Sequence, residues 1–517
     1  MQLPVVSERP EGVTSGERPE SVTSGLSQAR RLRAPQRRGL ERFAATDPGV
    51  DISRHPLVAR ALRSRAYQFL LILPNQIIFW LVIFSGIFGT LTPGLNFGTA
   101  ITWYVWFFVI FLMMVAVGRA WCAMCPFGGF AEWLQRRTLW QRTTKTLGLG
   151  WKLPESWAGH GLLTSTVVFV ALTWIEEFFN IAGPGAPIAT SYMVLGIVGL
   201  AVLVFVLFER RTFCRYICPL SSLIGTVGAM GSVAGFRTRD RERCITCATK
   251  ECMRGGAEGY GCPWYTWPGS ADSNLLCGLC SECYKACPYD NVGLFVQKPG
   301  TSIVSRLRRR PDVAWSIAIL SGLPIYQQFN ALGVFATVDN WLNATTGFPH
   351  YPNPIGFIVG IGLVALVIAG AATLLRVLFA RRAQISGALA SSWRSWFMPL
   401  SYALIPVMGA DFLARQLPKF LHYAPRIVPA VAGPFGIHTS KAIYNLRLVS
   451  DPAIVAIQVV VVAIGVAAAL AAIWRISRDE LGPLSDHPGL LRLAASVPAV
   501  VFGAGAAVMY VLMKAAD

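Results

Sequence analysis

Eight closely spaced cysteines lie between residues 244 and 287 of the chain. The last four form the run Cys277-x2-Cys280-x2-Cys283-x3-Cys287, and a proline follows it. In this spacing three thiolates hold three iron atoms of one [4Fe–4S] cube, and the fourth thiolate ligates a neighbouring cube. The run therefore predicts a pair of adjacent iron–sulfur clusters.

The first four of these cysteines form a looser partner, Cys244-x2-Cys247-x4-Cys252-x9-Cys262, which a proline also follows. Crossed ligation predicts that one cluster takes Cys244, Cys247, Cys252 and Cys287, and that the other takes Cys277, Cys280, Cys283 and Cys262. Two alternatives stay open. CxxC pairs also bind structural Zn²⁺, and the longer spacing of the first four is compatible with a lost or [3Fe–4S] cluster.

Two further cysteine pairs each follow a long apolar stretch and each precede a proline. They are Cys122 with Cys125, and Cys214 with Cys218. The matching blocks indicate an internal repeat of a helical hairpin, which would bring the pairs together. Four thiols could ligate a third metal centre, either a cluster or a copper or iron ion. They could also act as redox dithiols or be buried free cysteines. Arg119, Arg211 and Arg215 favour thiolates or a negatively charged cluster there.

The composition predicts a body of membrane helices that positions these cysteines. Of 517 residues, 54% are hydrophobic and 14% are charged, whereas soluble domains carry about a quarter charged residues. Apolar stretches of the length that crosses a bilayer occupy 67–91, 99–118, 160–179, 192–208, 312–331, 354–376, 396–415, 452–474 and 490–513. We therefore predict an all-α polytopic membrane protein with about nine transmembrane helices.

The distribution of positive charge predicts the orientation of these helices. With the N-terminus inside and the C-terminus outside, all but six of the 46 Lys and Arg residues lie on the cytoplasmic side of a bacterial inner membrane. This topology accounts for the net charge of +19 without nucleic acid. It also places every cysteine in the reducing cytoplasm, which disfavours disulfides and favours metal ligation.

The same reasoning predicts four regions. Residues 1–65, with a tandem repeat at 8–16 and 17–25, form a disordered basic cytoplasmic tail. Residues 66–236 form a four-helix membrane domain with the two Cys-Pro motifs. Residues 237–299 form an inserted cytoplasmic ferredoxin-like α+β module with two [4Fe–4S] clusters, and residues 300–517 form a five-helix membrane domain.

Three ionisable residues are candidates for a proton or quinone site. Asp411 lies inside a predicted span, where a charged side chain is costly unless it is paired, and Arg415 four residues later is the simplest partner. Glu176 lies at the outer end of the third span and could accept quinol protons. His422 in an outer loop could contribute to a quinol site.

The cysteine motifs resemble those of the NapH/NosR group of membrane polyferredoxins. The likeness covers about 66–297 and includes both Cys-Pro motifs and the segments KECMRGGAEGYGCP and CGLCSECYKACPYDN. The second motif has the CxxxCP spacing of that group, and the first is one residue shorter. The resemblance implies electron movement between the quinone pool or a cytoplasmic donor and a redox partner protein. It also includes relatives that reduce copper during oxidase assembly.

We therefore expect a membrane-bound iron–sulfur electron-transfer protein, acting as a component of an oxidoreductase system or as a quinol dehydrogenase. A copper reductase or metalloenzyme assembly factor is the first alternative, and a redox sensor is the second. Lipid, a quinone and a redox protein are the expected partners.

Overall fold

A computed structural model describes residues 49–137, 139, 148–158, 160–181, 187–305, 309–333, 336–349, 352–380, 392–433, 437 and 441–516. Nine long helices, α1 to α9, dominate these residues. They are α1 Tyr67–Phe88, α2 Phe97–Val117, α3 Gly161–Phe178, α4 Pro187–Leu207, α5 Pro311–Ala331, α6 Pro354–Phe379, α7 Arg394–Ala432, α8 Asp451–Leu484 and α9 Pro488–Lys514. All except α5 are long and apolar enough to cross a membrane. The chain is thus a helical polytopic membrane protein.

The helix α5 corresponds to the predicted span 312–331, but it is not among the eight apolar helices of the described residues. It packs against α3, α6 and α7 and carries buried polar residues, including Ser316, Ser321 and Gln328. A helix enclosed by other helices needs no lipid-facing apolar surface, so its composition is more polar. Because eight or nine crossings place the C-terminus on different sides, the orientation stays a prediction.

The helix α7 is longer than the predicted span 396–415 and occupies the centre of the bundle. It bends near Leu404, between the segments Arg394–Ala403 and Ile405–Tyr423. Pro406 has no N–H with which to continue the helical hydrogen bonds across this point. Phe412 and Phe420 of α7 stack on phenylalanines of α2. These contacts join the two halves of the membrane domain, which are α1–α4 before the cysteine loop and α5–α9 after it.

The predicted disordered tail of residues 1–65 ends earlier than expected. Residues 1–48 lie outside the described residues, but Val50–Asp51 forms strand β1 and Pro56–Arg63 forms a helix. The strand β1 pairs with β3, Val292–Val296, and β3 pairs antiparallel with β2, Val233–Thr238. This three-stranded sheet closes the cysteine loop at its two ends, which are residues 238 and 292.

The remaining elements are short. The α-helical ones are Trp121–Met124, Pro126–Arg136, Glu155–Ala158, Leu220–Gly228, Arg241–Thr246, Glu251–Arg254, Glu282–Lys285, Thr301–Val304, Ala336–Thr346 and Lys441–Asn445. Turns of 3₁₀-helix occupy Ile52–Arg54 and Pro93–Leu95 and also occur within α7 at Ala424–Arg426 and at the end of α8 at Gly482–Leu484. A π-helical turn occupies Phe213–Ile217, and others lie within α2 at Ala100–Trp106 and within α8 at Ser477–Leu481. The short helices between β2 and β3 carry three of the loop cysteines, Cys244, Cys252 and Cys283.

Candidate functional site: three groups of cysteines

The structure brings the first predicted set of loop cysteines to one cavity. Set A consists of Cys244, Cys247, Cys252 and Cys287, which line this cavity together. Three of its sulfur atoms accept hydrogen bonds from N–H groups: Cys247 from the Lys250 backbone at 3.4 Å, and Cys287 and Cys244 from the backbone and side chain of Asn291 at 3.3 Å each. Such donors are the usual surroundings of cluster sulfur ligands.

The second predicted set also converges, deeper in the loop. Set B consists of Cys262, Cys277, Cys280 and Cys283, and the Cys283 thiol lies within electrostatic range of the other three. The backbone N–H of Phe236 donates to Cys277 Sγ at 3.5 Å, and that of Thr266 donates to Cys262 Sγ at 3.4 Å. Cys252 of set A lies within electrostatic range of both Cys262 and Cys283, so the two sets are neighbours.

The thiols of these sets lie in surroundings that disfavour a free thiolate. Burial raises the pKa of the Cys252 thiol to about 12 and that of Cys283 well above its ordinary range. Buried thiols of this kind become thiolates only when nearby positive charge, such as ligated iron, compensates the lost hydration.

The backbone between the set B cysteines directs N–H groups towards their sulfur atoms. Leu279 and Ser281, on either side of Cys280, have left-handed φ values of 51° and 62°. Left-handed residues in such turns direct successive N–H groups inward, as in anion-binding loops. Gly235 faces Cys277 with φ of 88°, and a Cβ there would lie 2.9 Å from the Cys277 Cβ atom. Only glycine fits this close approach.

The four membrane-edge cysteines line a single cavity of about 160 Å³. We call Cys122, Cys125, Cys214 and Cys218 the quartet. A Cβ built on Gly128, from the first motif, would lie 3.2 Å from Cys214 Sγ of the second motif, so the two motifs are in contact. The structure thus places the two pairs side by side.

Each Cys-Pro step directs a thiol at the start of a helix. Pro126 occupies the first turn of Pro126–Arg136, and the Cys125 sulfur accepts from the backbone N–H groups of Phe127 and Gly128. In the second motif Cys218 accepts from the N–H of Leu220, at the start of Leu220–Gly228. Proline suits the first turn because its missing N–H has no partner there. Both helix N-termini therefore favour negative charge at the quartet.

Two fully buried arginines flank the quartet at equivalent positions, three residues before Cys122 and Cys214. Arg211 donates to Glu132 Oε2 at 3.1 Å, and Arg136 also pairs with Glu132 at 2.5 Å. Arg119 has no carboxylate partner in the part of the chain that the structure describes. It donates to Cys122 Sγ at 3.3 Å, to the Leu275 carbonyl and to the Ser221 hydroxyl. A buried cation of this kind needs a nearby negative charge, which a thiolate-ligated cluster supplies.

Trp264 connects set B with the quartet. The indole lies against the backbone between Cys277 and Cys280, because a Cβ on Gly278 would overlap it, and Trp264 also lines the quartet cavity. Arg119 stacks on the ring at 4.4 Å. Arg211 lies within electrostatic range of both Cys280 and Cys214. The three cysteine groups therefore follow one another from the loop towards the membrane.

No three Cys, His, Asp or Glu side chains among the described residues, which include all twelve cysteines, are grouped closely enough to hold one metal ion.

The other predicted site residues are not all brought to the cysteines. Glu176 lines the quartet cavity at its end remote from the thiols. Asp411 is fully buried, but it accepts from Gln328 at 2.8 Å and Tyr510 at 2.7 Å and forms no ion pair with Arg415. His422 pairs with Asp451 at 2.7 Å, away from the cavity.

One arginine predicted beside the quartet lies elsewhere, and two residues near the quartet were not predicted from the sequence. Arg215 stacks on Tyr216 and Tyr265, at 5.2 and 5.5 Å, and is not among the residues that line the quartet cavity. The R-x2-C spacing shared by the two motifs singles out Arg119 and Arg211 instead. Glu132 and Trp264 carry no local pattern that predicts their positions.

The family model of a 4Fe-4S binding domain matches the chain twice, over residues 99–143 and 190–234. Each match contains one quartet pair and the span before it, so the same model covers both copies of the repeat. No curated protein and no solved structure matches the chain. The chain is a membrane iron–sulfur protein of the electron-transfer type, with 4Fe–4S binding segments and apolar helices that can cross a membrane.

Proposed function

We propose that the protein lies in a bacterial inner membrane and transfers electrons between a quinol in the quartet cavity and a redox partner at its own cytoplasmic cysteine loop. Sets A and B would each hold a [4Fe–4S] cluster, and the quartet would hold a third metal centre. The proposal rests chiefly on the order of the three groups, because set A, set B and the quartet adjoin one another and the quartet opens into an intramembrane cavity. When bound, the clusters supply one-electron donor and acceptor capacity.

The cavity supports a quinone as the membrane ligand. It runs between α1, α2, α3 and α4 from the quartet to Glu176, with apolar and aromatic side chains along its length. Phe79, Trp106, Phe169 and Ile197 are among them. A narrow apolar cavity with a few polar groups suits an aromatic head with an isoprenoid tail. Its walls would also keep water from the reacting ring.

The family match supports a cluster at the quartet, because it covers the segments that carry these four cysteines. The two helix N-termini and Arg119 would hold the negative charge of such a centre. Arg119 would act through charge, since it has no competing carboxylate among the described residues, whereas Arg211 is already paired with Glu132. Trp264 would keep the space between set B and the quartet filled and dry.

The test combines metal analysis with chemical reduction of the full chain, purified anaerobically in detergent. Iron, acid-labile sulfide, copper and zinc would be measured together with low-temperature paramagnetic spectra after reduction by menadiol, a short naphthoquinol. We expect iron and sulfide with no stoichiometric copper or zinc, and clusters that menadiol reduces.

Serine variants would assign the centres. Cys283→Ser should remove the set B signal, and Cys252→Ser should remove the set A signal while menadiol still reduces set B. Cys214→Ser should leave both loop clusters in place but block their reduction by menadiol, while dithionite still reduces them. Copper bound at the quartet, or menadiol reduction that survives Cys214→Ser, would contradict the proposal.

A further inference from the structure

Two adjacent glutamines of α5 contact two carboxylates, the partly buried Glu177 and the fully buried Asp411, where α1–α4 meet α5–α9. Each of the consecutive residues Gln327 and Gln328 of α5 contacts one of these carboxylates. The Gln327 amide donates to Glu177 of α3, and the Gln328 amide donates to Asp411 of α7 at 2.8 Å. The Tyr510 hydroxyl of α9 donates to the same Asp411 oxygen at 2.7 Å.

Each of these carboxylates keeps one oxygen without a partner. Asp411 is 0% exposed, and its Oδ2 atom is buried with no hydrogen bond, as is Oε2 of Glu177. An ionised carboxylate with a bare oxygen in a dry site is strongly disfavoured. Two such oxygens, held by adjacent glutamines, are therefore suited to accept a proton.

The surrounding charges disfavour a metal cation as the occupant. Arg415, one turn from Asp411 on α7, lies within electrostatic range of Asp411 and of Glu177. Lys419, a further turn along, lies within range of Glu177 and Glu176. Two positive side chains near the carboxylates disfavour a bound metal cation, and they balance the charge of one ionised carboxylate while the other is protonated.

A third carboxylate, Glu176, lies at the cavity. Glu176 lines the cavity at the end remote from the quartet, and its neighbour in sequence, Glu177, turns to Gln327 on α5. The cavity therefore has thiols at one end, where electrons could leave a bound quinol, and carboxylates at the other end, where protons could leave it.

We propose that Glu176, Glu177 and Asp411 form a proton relay that leads from the quartet cavity into the second half of the membrane domain. The inference rests on the proposed function. Oxidation of a quinol to a quinone releases two electrons and two protons, and the relay receives protons while the quartet side receives the electrons. Gln327, Gln328 and Tyr510 hold the carboxylates in place and are positioning residues.

Infrared spectroscopy of the resting full chain tests the relay without depending on quinol oxidation. The carbonyl stretch of a protonated Asp411 should be present, should vanish in Asp411→Asn and should shift in D₂O. Its exchange with D₂O should slow in Glu177→Gln, because the path from the cavity is interrupted. Asp339→Asn serves as a matched control, since Asp339 is 1% exposed and bonded to Tyr326 but lies outside the chain of contacts.

Kinetics give the second readout. Reduction of the clusters by menadiol should slow roughly a hundredfold in Glu177→Gln, as for loss of a proton-transfer group, while reduction by dithionite stays unchanged. Glu177→Asp, which keeps the carboxyl group, should retain most of the wild-type rate, which also separates proton transfer from misfolding.

Absence of an Asp411 band from the wild-type spectrum, or exchange in Glu177→Gln as fast as in wild type, would overturn the relay. Failure of menadiol to reduce the wild-type clusters would instead overturn the proposed function, and the exchange measurement would still decide the relay.

Discussion

The charge of Arg119 should set the reduction potential of a centre held by the quartet. Arg119 is 1% exposed, has no carboxylate partner among the described residues, and donates to Cys122 Sγ at 3.3 Å. Adding an electron to the centre adds a negative charge near this cation. With roughly 7 Å between the charges and an effective dielectric constant of about 20, the interaction is about 2.4 kcal/mol. This energy corresponds to about 100 mV for a one-electron couple.

Arg119→Met should therefore lower the potential of that centre by about 100 mV, because the reduced state loses its compensating charge. The assay is a potentiometric titration followed by low-temperature paramagnetic resonance on protein with unchanged iron content. Arg119→Lys keeps the charge and should shift the potential far less, although it loses the stacking on Trp264. An unchanged or raised potential in Arg119→Met would refute the electrostatic role of this side chain.

Three further predictions concern stability and assembly. Gly235→Ala should lose the set B cluster, because the added Cβ would lie 2.9 Å from the Cys277 Cβ atom, and the loss would be measured as iron and sulfide content. Gly300→Ala is the control and should retain the cluster, since Gly300 has a similar φ of 77° but a Cβ there would have no atom within 4 Å. Glu132→Gln should lower the free energy of unfolding by about 3–5 kcal/mol, because buried Arg211 loses its anionic partner; thermal unfolding in detergent that matches wild type would contradict this. Burial by itself raises the pKa of Glu132, but Arg136 and Arg211 lower that pKa below its ordinary value of 4.5. The contribution of the ionised Glu132 to stability should therefore be complete above about pH 4.5 and be lost as the pH falls below it, and this loss should be absent in Glu132→Gln.

The family match covers the quartet segments at the membrane edge and not the cysteine loop. The loop run of Cys277 to Cys287 nevertheless has the more specific cysteine spacing. The structure offers a physical reason for a repeat here. Each copy supplies a span, a buried arginine and a helix that begins beside a thiol, so two copies enclose a site from opposite sides.

Local patterns were sufficient where the spacing along the chain fixes the geometry. The cysteine spacing predicted which loop thiols share a cavity, because short turns leave little freedom between ligands. Hydropathy predicted the long helices, including α5, although α5 is enclosed by other helices and is more polar than the rest. The tail boundary was wrong since Val50–Asp51 gains its partner from β3, some 240 residues later.

The sequence alone determined the iron–sulfur chemistry, the membrane helices and the repeated Cys-Pro motifs, since these depend on residue type and short-range spacing. Tertiary structure decided what surrounds them. It paired Asp411 with Gln328 and Tyr510 instead of Arg415, left Arg119 without a carboxylate and set Trp264 between two cysteine groups. These contacts join residues far apart in the chain, and only packing of the helices determines which distant side chains meet.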